Sequence, residues 1–190
     1  MLRYVSHPEV VMDPAIPVPE WVLSDTGRAR VEALARRPWV ATLTRVITSS
    51  EPKAIETAEI LAGAAQQALV VEVRSSTAEI DRSSTGYLSH EDHETHANLL
   101  FAAPESSANG WERAIDAQRR MVVALEDLLE EPDATVVVGH GGVGTLWWCH
   151  LAGIEIARRH DQRRGGCLYA VDPVDSRPTS AWVEFEDDLT

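Results

Sequence analysis

The chain has 190 residues, enough for one large domain and short for two. Its 17 Lys and Arg stand against 30 Asp and Glu, a net charge of −13, which argues against nucleic acid or an anionic membrane as a partner because neither gains counterion release from an acidic face. A small anionic substrate stays admissible, since a few cationic groups focus a local field inside an acidic protein.

Leu2 to Ser6 reads as the first strand, closed by His7-Pro8, because proline biases the residue before it away from helix. A Pro-punctuated loop, DPAIPVPEW, follows. Ser24-Asp25 caps a helix predicted over Thr26 to Ala35, with Leu23, Val31 and Leu34 on its buried side. Arg45 to Thr48 is the second predicted strand and runs into Ser49-Ser50. A helix opens there, with Pro52 in its first turn and Ala54, Ala58 and Leu61 at helical spacing. Leu69 to Val73 is a β-branched third strand, and Thr77 to Gly86 a polar loop carrying Glu79, Asp81 and Arg82. A polar helix is expected over Glu91 to Ala102. A longer one, Gly110 to Glu130, has Ile115, Met121, Val122, Leu125, Leu128 and Leu129 on its apolar side. Thr135 to Val138 has the apolar character of a strand buried on both faces. Gly139-His140-Gly141-Gly142 then turns the chain into a helix ending near Ala152, and Cys167 to Val171 with Ala181 to Phe185 closes the sheet as a hairpin.

Strands alternating with helices predict a single domain of the α/β class, a three-layer α/β/α sandwich around a mostly parallel central sheet. No run approaches the ~20 apolar residues of a membrane span, and MLRYVSHPEV carries no apolar stretch of signal-peptide length; the expected location is cytoplasmic. Cys149 and Cys167 have no metal spacing and read as reduced packing residues.

Ligands of open α/β sheets bind beyond the carboxyl ends of the strands. Here those ends present His7, Ser49-Ser50 and His140, and two of them lead to helix N-termini, whose free N–H groups favour an anion. Two imidazoles so placed suit a nucleophile and a transition-state hydrogen-bond donor. The plainer alternative for each is a hydrogen-bonded structural histidine. Gly139-His140-Gly141-Gly142-Val143-Gly144 also matches the G-x-G-x-x-G pattern of dinucleotide-binding loops, but no acidic residue closes a second strand about 20 residues on. His90, His93 and His96 repeat in SHEDHETH; without a second ligand cluster they read as a solvated polar helix, and no metal is expected.

These motifs, taken together and in order, resemble the histidine phosphatase superfamily, the phosphoglycerate mutase-like fold. Tyr4-Val5-Ser6-His7-Pro8 stands where that family has Arg-His-Gly after its first strand. LSDTGRARVEALA is similar to its Leu-Thr-x-x-Gly-Arg helix start, and SSEPKAIETAEIL to its serine-bounded Arg-Ala-x-x-Thr-Ala helix, with Lys53 in the arginine's place. Glu79 of AEIDRSSTG fits the family's acidic residue, and VVVGHGGVG its second-histidine motif. The resemblance implies a cofactor-free phosphomonoester hydrolase of small phosphorylated molecules: His7 the nucleophile, Glu79 the proton donor and acceptor, His140 the partner of the equatorial oxygens. Ser50, Lys53, Arg82 and Gly141 are the expected phosphate-binding set, and residues 77–110 the substrate-recognition insertion.

Two departures from the family pattern matter. Ser6 replaces one arginine and Lys53 another, and a lysine offers a point charge where an arginine offers a bidentate fork. Arg82, three residues after Glu79, is the candidate replacement. The alternative function is a catalytically impaired relative that binds phosphorylated ligands in a regulatory role. A homodimer is possible if Trp182 and Phe185 form an exposed aromatic edge.

Overall fold

The structure, a computed structural model, describes residues 1–130 and 134–188. One sheet runs through it in the order β3-β2-β4-β1-β5-β6. Its strands are β1 (Leu2–Ser6), β2 (Arg45–Thr48), β3 (Val71–Val73), β4 (Thr135–Gly139), β5 (Cys167–Val171) and β6 (Val183–Glu184). The first four are mutually parallel, while β5 runs antiparallel to β1, and β6 antiparallel to β5.

Strand side chains alternate between faces, and burial follows that alternation. Leu2, Tyr4, Ile47, Val137, Tyr169 and Val171 pack on one side with α4 (His90–Ala102), α5 (Ala114–Leu125) and α6 (Gly141–Ala152). Val5, Val46, Val136, Val138 and Leu168 pack on the other, under α1 (Asp25–Leu34), α2 (Pro38–Ala41) and α3 (Pro52–Gly63). The architecture is therefore the three-layer α/β/α sandwich. Every residue of β4 is buried, as its unbroken apolar run requires. Among the described residues, no helix is long and apolar enough to cross a membrane.

Local chemistry sets the helix ends. The Ser24 hydroxyl accepts the Gly27 N–H at 3.1 Å and starts α1. Gly153, at φ 67°, stops α6 in the left-handed region that a side chain disfavours.

Three predicted elements differ from expectation, and so does the placing of two aromatics. β3 begins at Val71 rather than Leu69, because its only ladder is the three-residue pairing with Val46–Thr48 and Val70 stands 91% exposed. The helix expected from Gly110 starts at Ala114, since Asn109 (φ 52°) and Gly110 (φ 89°) hold left-handed conformations; it ends at Leu125 in a 3-10 turn, Glu126–Leu129. The last strand is only Val183–Glu184: Arg37 takes the carbonyls of Phe185 and Glu186, each at 3.3 Å, and a 3-10 turn follows. Finally, the aromatics expected on a dimer edge face inward. Trp182, half-buried, packs edge-on against Tyr169 with centroids 4.8 Å apart, and Phe185 is 3% exposed, so Phe185 presents no exposed aromatic edge. Cys149 and Cys167 are buried free thiols.

One side chain ties the sheet to the functional loop. The Tyr4 hydroxyl accepts the His140 N–H and donates to the His140 carbonyl, both at 3.0 Å, with its ring stacked on Tyr169. Replacing Tyr4 by Phe leaves the buried His140 N–H without a partner, a loss of about 1–3 kcal/mol. A urea titration of Tyr4→Phe is expected to show that drop; a change within a few tenths of a kcal/mol would mean the bridge carries no net stability.

Candidate active site

The last register pair between β1 and β4 is Ser6↔Gly139, so the chain places the next residue of each strand, His7 and His140, side by side. His7 N–H still donates to the Gly139 carbonyl at 3.0 Å, which carries the ladder one step past the strand. The two imidazole centroids lie 5.2 Å apart with planes at 72°.

Their tautomers follow from their partners. His7 Nδ1 lies 2.8 Å from the Pro8 carbonyl, which can only accept; Nδ1 therefore carries the proton and Nε2 keeps its lone pair. His140 is fully buried, with Nε2 2.7 Å from Ser49 Oγ. That hydroxyl also accepts the Glu51 N–H at 3.4 Å. His140 Nδ1 is a buried nitrogen with no hydrogen-bond partner among the described residues. Burial pushes both imidazoles down to about 3, His7 further through His140 and Lys53; for His140 the nearby Glu79 opposes the shift. Both are neutral at physiological pH.

Glu79 reaches the N-terminus of α6. Its Oε2 accepts Gly142 N–H at 3.2 Å, and Oε1 accepts Val143 N–H at 3.1 Å and Ile80 N–H at 2.9 Å. Burial raises its pKa, but His140, Arg82 and these N–H groups outweigh that and hold it at about 2. The carboxylate thus occupies the helix terminus as a built-in anion.

A cavity of about 480 Å³ opens here, lined by His7, Glu79, Arg82, Gly141, Gly142 and Gln162 among others. It gathers expected site residues from β1, the loop after β3 and the start of α6. Arg82 donates to His93 Nε2 and lies over Trp111, its guanidinium carbon 5.5 Å from the ring centroid. Its charge is thus oriented by a neutral imidazole and a π-face rather than cancelled by an acid. Trp111, 3% exposed, is both a core residue and part of the cavity wall.

Two expected phosphate ligands sit elsewhere. Ser50 is exposed and outside the cavity lining. The Lys53 ammonium donates to the Val18 carbonyl at 2.9 Å and is ion-paired with Glu51, so its charge is already matched. Both differences have one cause. Ser49, not Ser50, follows the strand inward, and Glu51 at the head of α3 draws Lys53 to itself. Glu51 also accepts the Glu79 N–H at 2.9 Å and approaches His140 Nε2 to 3.4 Å. Ser49, one of the serine pair read at this strand end, is thus the one at the site, while Glu51 is a site residue that motif matching did not single out; its one signal was a carboxylate two residues before the lysine.

The glycines of the GHGGVG run accommodate the chain's own side chains. A methyl group on Gly139 or Gly144 would come within 2.3 or 2.4 Å of Tyr4, on Gly141 within 2.1 Å of Gln162, and on Gly142 within 2.7 Å of Glu79. Packing explains the pattern without a dinucleotide. The histidine helix is likewise not simply solvated: His90 and His93 line the cavity, and His96 stacks on Trp111 at 5.3 Å. Among the described residues, no group of three or more His, Cys, Asp or Glu is placed to hold a metal ion.

Comparison with known proteins bears on the family and the fold. The family profile of the histidine phosphatase superfamily (branch 1) matches residues 17–184. No curated protein matches the chain in sequence. Among solved structures, a mycobacterial glucosyl-3-phosphoglycerate phosphatase in complex with inorganic phosphate is similar, with a TM-score of 0.76 at 19% identity over 97% of this chain and 98% of that one. An Entamoeba histolytica phosphoserine phosphatase in complex with 3-phosphoglyceric acid scores 0.73 at 16% identity, over 96% of each chain. Bacillus stearothermophilus YhfR scores 0.72 at 19% identity, over 100% of this chain and 97% of that one. At these identities the likeness is one of fold.

The lowered pKa values make stability acid-sensitive. The folded site binds fewer protons than the unfolded chain, so stability is fully present above the ordinary imidazole value of 6.5. It falls as pH drops from there towards about 3, and Glu79 extends the loss from 4.5 towards about 2. Each proton steepens the slope by up to about 1.4 kcal/mol per pH unit. Urea titrations between pH 8 and 4 are expected to show a plateau and then a decline, shallower in His7→Asn. Stability that rises on acidification would contradict the buried, neutral imidazoles.

Proposed function

The chain belongs to the histidine phosphatase superfamily, and from that membership we propose that it is a phosphomonoester hydrolase working through a phosphohistidine on His7. The observation that carries this reading is the tautomer of His7. With Nδ1–H held by the Pro8 carbonyl, Nε2 presents a lone pair beside a second buried imidazole and a carboxylate.

In the proposed reaction Nε2 attacks phosphorus, and the P–N bond forms as the bond to the ester oxygen breaks. The departing electron pair stays on that oxygen, which takes a proton from Glu79. A water molecule then gives a proton back to Glu79 and attacks phosphorus, and the P–N bond breaks to release phosphate and restore the Nε2 lone pair. Glu79 must hold a proton for the first step although it is an anion in the empty site. An arriving phosphate supplies the change: its negative charge beside the carboxylate raises the carboxyl pKa, and its oxygens compete for the α6 N–H groups. His140, whose ring lies beside His7, hydrogen-bonds the equatorial oxygens in this reading as charge spreads over them. Arg82 supplies the guanidinium that Ser6 and the ion-paired Lys53 do not.

The competing reading, a relative that binds phosphorylated ligands without turnover, draws on that same neutralised Lys53. Steady-state assay with p-nitrophenyl phosphate separates the two. Wild type is expected to turn over, and His7→Ala to lose at least about 1,000-fold in kcat; equal rates for the two on a panel of phosphomonoesters would leave only the binding role. Arg82→Ala is expected to lower kcat/KM by about 10- to 100-fold, the range of a hydrogen bond to a charged group, with Arg82→Lys recovering only part. An unchanged kcat/KM in Arg82→Ala would remove Arg82 from the phosphate site.

A further inference from the structure

We propose that Gln162 is a phosphate-binding residue of this site, positioned by Ser6, so that a serine–glutamine pair supplies the hydrogen bonding of the arginine missing at position 6. The inference rests on the phosphatase reading above.

Ser6 is fully buried at the end of β1, directly before His7. Its Oγ accepts the Cys167 N–H at 3.1 Å. The hydroxyl proton then has two acceptors within reach, Gln162 Oε1 at 2.6 Å and the Cys167 carbonyl at 3.2 Å, and the shorter contact is to Gln162. With Oε1 turned to Ser6, the amide nitrogen turns the other way. It lies against the first residue of α6, where a methyl group on Gly141 would come within 2.1 Å of Nε2. Glycine at 141 is what makes room for the amide.

Gln162 lines the same cavity as His7, Glu79, Gly141 and Gly142, and its NH₂ group has no hydrogen-bond partner among the described residues. It is a donor pair facing an anion site without a protein acceptor. The surrounding loop is braced from both sides. Asp161 Oδ1 accepts the Gln162 N–H and the Thr145 hydroxyl of α6, each at 2.8 Å, and Gly166 N–H donates to the His7 carbonyl at 3.1 Å. The loop that carries the amide is therefore tied to the nucleophile's own backbone and to α6, the helix that follows His140. Unlike an arginine, the amide donates from a single nitrogen and without adding charge.

The test measures kcat/KM for p-nitrophenyl phosphate and the inhibition constant of inorganic phosphate, with calorimetric titration of inorganic phosphate as a readout independent of turnover. Gln162→Ala is expected to weaken phosphate binding by roughly 10- to 100-fold, with an unchanged melting temperature. Gln162→Glu, which keeps the shape and replaces the donors by a carboxylate, is expected to bind phosphate more weakly still. Ser6→Ala should give a smaller loss. Ser6→Ala combined with Gln162→Ala should be no worse than Gln162→Ala alone, because Ser6 acts through Gln162. Wild-type phosphate affinity in Gln162→Ala, or in Gln162→Glu, overturns the assignment while leaving the phosphatase reading intact. Additive losses in the double variant overturn the positioning role of Ser6. A wild type that neither hydrolyses the ester nor binds phosphate overturns both the phosphatase reading and this inference.

Discussion

The parallel register of β1 on β4 is the constraint on which the site depends. Ser6 opposite Gly139 makes His7 and His140 neighbours, and β2 on the far side of β4 brings Ser49 to the same end, with its N–H on the Val138 carbonyl at 3.2 Å. A slip of one residue would turn the strand's core face to the wrong layer, so the hydrophobic alternation that builds the two cores also fixes the geometry of the imidazoles. Tyr4 locks the arrangement from below. One hydroxyl satisfies both backbone groups of His140, and its ring fills the space that Gly139 and Gly144 leave. Core packing and site geometry are here the same set of contacts.

Charge is distributed around that geometry in a way the overall composition hides. A chain of net charge −13 places carboxylates on two of the four arginines that line the cavity: Arg158 on Glu94 and Asp161, Arg164 on Glu184 and Glu186. Arg82 is held instead by His93 and Trp111. Burial keeps both active imidazoles neutral, and Lys53 is matched by Glu51. The local field thus draws on Arg82 and Arg163, on the α6 N-terminus and on the Glu79 carboxylate that rests there. An incoming phosphate meets an anion already seated in its path, and the competition between them for the same N–H groups couples ligand entry to the protonation of Glu79.

The strand-end histidines were legible in the sequence because period-two alternation and the buried β4 run specify which ends of the sheet come together. The fold class followed from the same alternation. Lys53 and Ser50 were not legible in the same way. A motif aligns a position, but the partner of a buried lysine is decided by its neighbours, and Glu51 is nearer to hand than any ligand. The difference between Ser49 and Ser50 is one residue of strand alternation past the last ladder bond. Gln162 left no local trace at all: it meets Ser6 across 156 positions of sequence, from an irregular loop whose course no periodicity describes. Trp182 and Phe185 illustrate the opposite case: large aromatics near a terminal strand look like an exposed edge until the edge-on contacts of Trp182 with Tyr169 and Tyr4, and the burial of Phe185 in the other core, are known.

The glycine run shows how such ambiguity resolves. Read as a pattern, GHGGVG suggests a loop opened for the close approach of a ligand's phosphates. In the folded chain each glycine is the counter-shape of a side chain from elsewhere: Tyr4 at Gly139 and Gly144, Gln162 at Gly141, Glu79 at Gly142. Two of those side chains, Gln162 and Glu79, line the cavity themselves. The glycines therefore serve the site indirectly, by letting an amide and a carboxylate come down onto the first turn of α6, where backbone N–H groups are unpaired by the nature of a helix end. A larger residue at 141 or 142 would leave the helix N-terminus intact and still empty it of the groups that give it chemistry.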